Sequence, residues 1–139
     1  MAQEIITDRV RENTNMHVNA EIDRRTERNI EFYRKQSRDV ILKRIEELDK
    51  EWDIERMLAL NASVIAFTGT VLGIKYSKLW LSLPIIVTSF LAQHAIQGWC
   101  PPLAVFRRMN IRSRKEIDEE KYALLETLDK MRGEQTSTL

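Results

Sequence analysis

From Met57 to Ile74 the chain reads MLALNASVIAFTGTVLGI, and after Lys75-Tyr76-Ser77-Lys78 it continues from Leu79 to Ile96 as LWLSLPIIVTSFLAQHAI. Neither run holds an Asp, Glu, Lys or Arg, and the one titratable side chain in them is His94, near the end of the second. Each is about 18 residues, the short end of the roughly 17 to 25 that an apolar helix needs to cross a bilayer. At about −0.3 to −0.6 kcal/mol per central Leu, Ile, Val or Phe, each gains a few kcal/mol on insertion with no charge to cancel it. Two spans, 57–74 and 79–96, are therefore expected. The competing reading is a buried helical hairpin in a soluble bundle, because about 18 residues is only just enough to span.

A four-residue connection returns the second helix antiparallel to the first, so both outer ends share a side. Near the spans the flanks hold Arg38, Lys43, Arg44, Lys50 and Arg56 before, and Arg107, Arg108, Arg112, Arg114 and Lys115 after, against two lysines in the loop. Excess Lys and Arg marks the cytoplasmic side. The expected protein is multi-pass in the cell inner membrane, with both termini cytoplasmic and the lipid bilayer as its first partner. Tyr76 and Trp80 are expected at the outer interface and Trp99 at the inner one, where amphipathic rings settle.

Outward from the apolar centre the flanks are dense in charge. The 139-residue chain has 22 Lys and Arg against 21 Asp and Glu, interleaved and not gathered into a basic block, which makes nucleic acid a poor partner. Met1 to Val10 carries Glu4, Asp8 and Arg9 without an apolar h-region, unlike a cleavable signal peptide, and residues 1–17 are expected to be flexible. Residues 18–56 read as a cytoplasmic helical arm. Val18, Ile22, Ile30 and Tyr33 form one narrow stripe, and Ser37 opens a second helix with Ile41, Ile45, Leu48 and Trp52, the two helices pairing antiparallel.

Past the second span, Pro101 and Pro102 end the helix. Residues 97–112 then read as an interfacial segment, in which Leu103, Val105 and Phe106 stand beside Arg107 and Arg108. Trp80, Trp99, Phe106, Arg107 and Arg108 are the expected headgroup-level residues. Ser113 and Glu116 have capping-box spacing and open a helix over 113–133, with Ile117, Leu124, Leu128 and Met131 on one face and Gly133 at its end. Glu116, Asp118, Glu119 and Glu120 read as a solvated surface, and 134–139 as a disordered tail. The fold class is all-α: a two-helix transmembrane hairpin flanked by amphipathic cytoplasmic helices.

Within the spans, Ala59, Ala62, Ala66, Gly69 and Gly73 recur at steps of three and four, and Gly69 with Gly73 forms GxxxG. In lipid, where no hydrophobic force joins helices, close backbone approach at such residues supplies packing. The stripe is expected to meet either the second span or another subunit. Asn61 and Gln93 lie about equally far from the loop, and a hydrogen bond between them is expected. His94 is a functional candidate as an intramembrane ionisable group, or reaches water at the headgroups.

Cys100 is the sole cysteine, which excludes an intramolecular disulfide and a multi-thiolate zinc site from one chain. A packing or interfacial role is the leading reading. A thiol activated by nearby arginines is a second, and a metal site shared across a homodimer through His94 and Cys100 a third. His94 is six residues back, on another face unless the helix breaks at Gly98. With no phosphate-binding glycine loop and no other catalytic constellation, no cofactor is expected.

The string Gln97-Gly98-Trp99-Cys100-Pro101-Pro102, within HAIQGWCPPLAVFRR and followed by RSRKEIDEEKYALL, resembles a family of bacterial inner-membrane proteins of unknown function. Its members have two short spans, then a Cys-Pro pair, a basic stretch and a helix. One branch is the hairpin attached to a membrane-bound rhodanese, a thiosulfate sulfurtransferase. The resemblance covers about Met57 to Leu125 and implies the topology and the position of Cys100. It does not imply the enzyme, whose α/β domain and cradled cysteine have no counterpart here. A glycine often found shortly after the Cys-Pro pair is replaced here by Met109-Asn110-Ile111. The expected function is a non-enzymatic membrane module that presents cytoplasmic helices at the bilayer surface, as a homo-oligomer or with a membrane protein partner. The alternative is an accessory role in sulfur or thiol handling through Cys100.

Overall fold

In the computed structural model, residues 8–138 are described. Residues 1–7, the start of the segment expected to be flexible, and Leu139 lie outside them. The described residues are helical, without strands: α1 (Arg9–Glu12), α2 (Met16–Arg34), α3 (Arg38–Lys50), α4 (Ile54–Lys75), a 3-10 turn (Lys78–Leu81), α5 (Ser82–Gln97), α6 (Pro101–Arg108) and α7 (Arg114–Ser137).

Local chemistry sets most of the boundaries. Asn15 accepts from the His17 N–H to open α2, and Asp53 accepts from Arg56 N at 2.9 Å to open α4. Ser113 and Glu116 close a reciprocal capping box on α7. The region 8–17 is not loose: Asp8 caps a single helical turn, and Val10 is buried. Pro101 and Pro102 do more than stop α5. They occupy the first positions of α6, where a missing N–H costs nothing, so the expected interfacial stretch is a two-turn helix. The tight turn after α6 requires one left-handed residue, and Asn110 supplies it at φ 61°, a conformation asparagine tolerates better than most non-glycine residues. Gly133 does not end α7, which runs to Ser137. Thr136 and Thr138 bond back to Arg132 and Glu134 four residues earlier, and the stretch expected to be a disordered tail is helical to Ser137.

Two regions result. In the first, α4 and α5 pack antiparallel: Gly73 lies against Leu81, and Gly69 against Leu83 and Pro84, while Ile65 and Val87 line one cavity further along. Of the small stripe, Gly69 and Gly73 are buried in this contact, Ala62 and Ala66 are half-buried, and Ala59 is exposed. The outer faces are uncovered, with Phe67 73%, Ile74 79%, Ile85 66% and Ile96 78% exposed. Both regions of sequence form helices long and apolar enough to cross a membrane.

In the second region α2 and α3 each pack on α7 more than on each other, so the expected antiparallel pair is completed by a third helix. Its core is Ile41, Ile45, Leu48, Ile117 and Leu124. A smaller core of Val10, Ile54, Leu58, Cys100 and Leu103 joins the two regions. Trp52, expected on the buried stripe of α3, lies past its end and is half exposed, with the Arg56 guanidinium 4.5 Å above its ring.

The glycines of α4 differ in what surrounds them. A Cβ on Gly69 would stand 2.7 Å from Pro84 Cδ, part of a rigid ring, and one on Gly73 would stand 2.5 Å from Leu81 Cδ2, 2.6 Å from Leu81 Cγ and 3.3 Å from the Leu81 backbone nitrogen. Gly69→Ala and Gly73→Ala are each expected to destabilise the α4–α5 contact by about 1–3 kcal/mol. Equilibrium unfolding of the two variants checks it.

Candidate functional site

Where the two regions meet, four charged side chains are removed from solvent: Arg107 and Glu116 are each 1% exposed, and Arg112 and Glu120 are 0% exposed. Arg107 grips Glu116 bidentately at 2.6 and 2.7 Å. Its remaining donors go to Thr14 Oγ1 at 3.0 Å, Asn19 Oδ1 at 2.9 Å and the Ile111 carbonyl at 3.2 Å. All five N–H groups of the guanidinium are thereby matched. Glu116 also accepts from Arg11 at 2.9 Å, and Arg11 holds Asp23 at 2.6 Å.

A second cluster is built on Arg112. It donates to Glu120 at 2.6 Å, to Thr26 at 3.3 Å, and to Glu51 through two nitrogens at 3.0 and 2.6 Å. Glu120 accepts in addition from Arg44 at 2.9 Å. Arg114 holds Asp53 at 2.9 Å, and the Arg112 carbonyl accepts the Ile54 N–H at 3.0 Å. The short break between α3 and α4 is thus fastened to α7 by side chains and backbone together.

Several sequence expectations change here. Arg107 does not face the headgroups; its burial is stable because Glu116 and three neutral acceptors replace the water it loses. Glu116 and Glu120 are not solvated, because they share the helix face of Ile117 and Leu124. Arg108 is exposed on the outer side of α6 beside Val105 and Met109, and Phe106 packs on the joining core. Trp99 and Trp80 are partly exposed at opposite ends of α5. Arg11, Asp23, Arg44, Glu51, Asp53 and Arg112 were not anticipated as a network, since spacing along one helix gives no sign of partners on another.

The end of α5 is the other built feature. Gly98 takes φ 75°, and its N–H bonds the His94 carbonyl at 2.7 Å. A Cβ there would lie 2.8 Å from Arg9 Cβ, so only glycine permits both the left-handed cap and the approach of α1. Arg9 and Asn13 donate to the carbonyls of Ala95 and Gln97, each at 3.4 Å. These carbonyls lack partners within α5 and attract positive charge. His94 is 10% exposed, with Nε2 3.7 Å from Glu55 Oε1, and its Nδ1 is buried without a partner. His94, Arg9 and Glu55 line a cavity of about 300 Å³ whose apolar wall includes Leu58, Ala59 and Leu91.

Cys100 lines a different cavity, with Leu58, Asn61, Val87 and Phe90. It is 2% exposed, and burial pushes its thiol above the ordinary value against a smaller opposing effect of the Leu103 N–H. Among the described residues no three or more His, Cys, Asp or Glu side chains group as metal ligands. The expected bond between Asn61 and Gln93 is not formed. Gln93 donates to Gln97 at 3.4 Å, and Asn61 faces a groove shared with Phe90, Pro102 and Phe106. Comparison with protein-family models, curated proteins and solved structures finds no match for the chain.

Two predictions follow from the buried charges. Glu116→Gln leaves Arg107 buried without the one carboxylate that pairs with it among the described residues and is expected to cost about 3–5 kcal/mol, whereas Arg107→Met combined with Glu116→Leu recovers much of that loss. Denaturant unfolding of the single and double variants measures it. Burial opposes ionisation of both glutamates, yet Arg107 and the Ser113 N–H hold Glu116 below its ordinary 4.5, and Arg44 with Arg112 hold Glu120 below the same value. A depressed folded-state pKa means that the unfolded chain binds protons first. The stabilisation is complete above that ordinary value and lost as the pH falls through the folded values. Protection of the amides over 116–124, taken relative to their intrinsic exchange rates at each pH, should therefore fall on acidification below pH 4.5.

Proposed function

We propose that the chain is a non-enzymatic integral membrane protein of the cell inner membrane. In this reading α4 and α5 cross as a hairpin, both termini are cytoplasmic, and α2, α3 and α7 form a body presented at the inner surface as part of a homo-oligomer or larger membrane assembly. The observation that carries it is the uncovered apolar surface of α4 and α5 beside a charged body that has its own core. A core helix of a soluble protein would bury Phe67, Ile74, Ile85 and Ile96, and so large an apolar face in water is rare in a monomer.

Three further features support the reading. Hydroxyls of Ser63, Thr70, Thr88 and Ser89 each donate to the carbonyl four residues earlier, at 2.7, 2.8, 2.7 and 2.7 Å. That is how a polar side chain is satisfied where water is absent. The 22 residues of α4 span about 33 Å at the helical rise, against about 30 Å of hydrocarbon. Lys75 and Lys78 mark one end, while Arg56, Trp52, Trp99 and Arg108 mark the other, where basic and aromatic side chains meet headgroups. Asn61, exposed on the apolar surface, requires a polar partner in lipid and supports contact with another chain. A thiol-handling role would need an accessible thiolate, and the burial of Cys100 weighs against it.

The test is fractionation followed by topology. The protein should remain in the pellet after alkaline carbonate and float with liposomes. In a Cys100→Ser background, Ser77→Cys should react with a membrane-impermeant maleimide from the outer side, with reporters at both termini cytoplasmic. Release by carbonate would overturn the membrane reading, and labelling of position 77 from the inside alone would overturn the topology.

A further inference from the structure

The cavity between α1, α4 and α5 combines polar groups that contacts among the described residues leave largely unused. Arg9 is exposed, and its guanidinium makes one long bond, at 3.4 Å to the Ala95 carbonyl, which leaves most of its donors open. Glu55 is 64% exposed, and among the described residues the basic side-chain nitrogen within 4 Å of it is His94 Nε2 at 3.7 Å, too far for a hydrogen bond. His94 is nine-tenths buried, with Nδ1 unpartnered. Below these three groups the wall turns apolar through Leu58, Ala59 and Leu91, and Leu91 is itself 40% exposed toward the outer face of α5.

A ligand matched to this lining carries a negative and a positive group close together at the head of an apolar tail. We propose that the cavity binds a glycerophospholipid whose headgroup pairs a phosphodiester with a primary ammonium. Arg9 takes the phosphodiester, Glu55 takes the ammonium, and His94 Nε2, the ring nitrogen on the Glu55 side, supplies a donor or acceptor beside them. The assignment rests on the membrane reading above, which sets the cavity at headgroup depth beside the last carbonyls of α5. An anionic headgroup without an amine offers nothing to Glu55 and is repelled by it. A choline headgroup carries the positive charge but no N–H to donate. The apolar wall leads the acyl chains back toward the exposed face of α5, so the lipid is favoured over its free headgroup.

The experiment uses the full chain, purified in neutral detergent and stripped of lipid. Phosphatidylethanolamine, phosphatidylcholine and phosphatidylglycerol with identical acyl chains are added singly, with soluble phosphoethanolamine as a fourth arm. Retention is read by native mass spectrometry and stabilisation by thermal melting. Phosphatidylethanolamine should be retained about ten-fold over the other two, the scale of one charge-assisted hydrogen bond. Glu55→Gln should erase the preference over phosphatidylcholine, and Arg9→Gln should weaken both. Ala59→Leu, which alters the wall and no charge, should lower retention of every lipid. Hydrogen exchange in α7 confirms that each variant is folded. Equal retention of all three lipids, or equal melting shifts from the soluble headgroup, would overturn the proposal. A protein that needs no detergent to stay soluble would instead overturn the membrane reading beneath it.

Discussion

Arg107 carries a charge that water would solvate far better than hydrocarbon, and the fold is organised around replacing that water. The bidentate carboxylate of Glu116 cancels the charge, while Thr14, Asn19 and the Ile111 carbonyl take the remaining donors. Each acceptor lies on a different stretch of chain. Satisfying one guanidinium therefore fixes α6 against α7, the turn between them, and the α1–α2 corner at once. Hydrophobic contacts tolerate sliding by a fraction of an ångström; a planar fork with five directed donors does not.

Two ways of hiding polar groups coexist in the chain. In the body, charges are buried by pairing across helices, as in Arg112 with Glu120 and Glu51. Along α4 and α5, hydroxyls are folded back onto their own helix, and the backbones approach at Gly69. The joining core of Val10, Ile54, Leu58, Cys100 and Leu103 lies between these regimes. There Cys100 acts as a small apolar side chain, in keeping with its burial.

The helical class and the two apolar helices were readable because exclusion of charge over so long a run has few other causes. The start of α7 was readable because Ser113 and Glu116 form a purely local device. The network was not, although half of its signal was present: Glu116 and Glu120 recur at a step of four on the face that carries Ile117 and Leu124. Periodicity marks that face as buried but cannot name the arginines that make burial of a carboxylate tolerable, since Arg11, Arg44 and Arg107 lie on other helices. The same limit hid the place of α1. Gly98 reads as a helix end, and nothing in its neighbours shows that Arg9 will lie against it. Gly133 misled for the opposite reason, because a glycine permits a left-handed turn without requiring one.

The order in which the partners are joined has a consequence for biosynthesis. Arg11, Asp23, Arg44, Glu51 and Asp53 leave the ribosome well before Arg107, Arg112, Arg114, Glu116 and Glu120, with the two apolar helices translated in between. A nascent chain that ends just before Arg107 carries the early half of each charge cluster, with α2 and α3 lacking the helix they pack on and Ile41, Ile45 and Leu48 left without their partners from it. The early helices must wait in solvated, unpaired form until the last third of the polypeptide arrives. Closure of the body thus comes late, after the apolar pair that precedes α7 in the chain has been made.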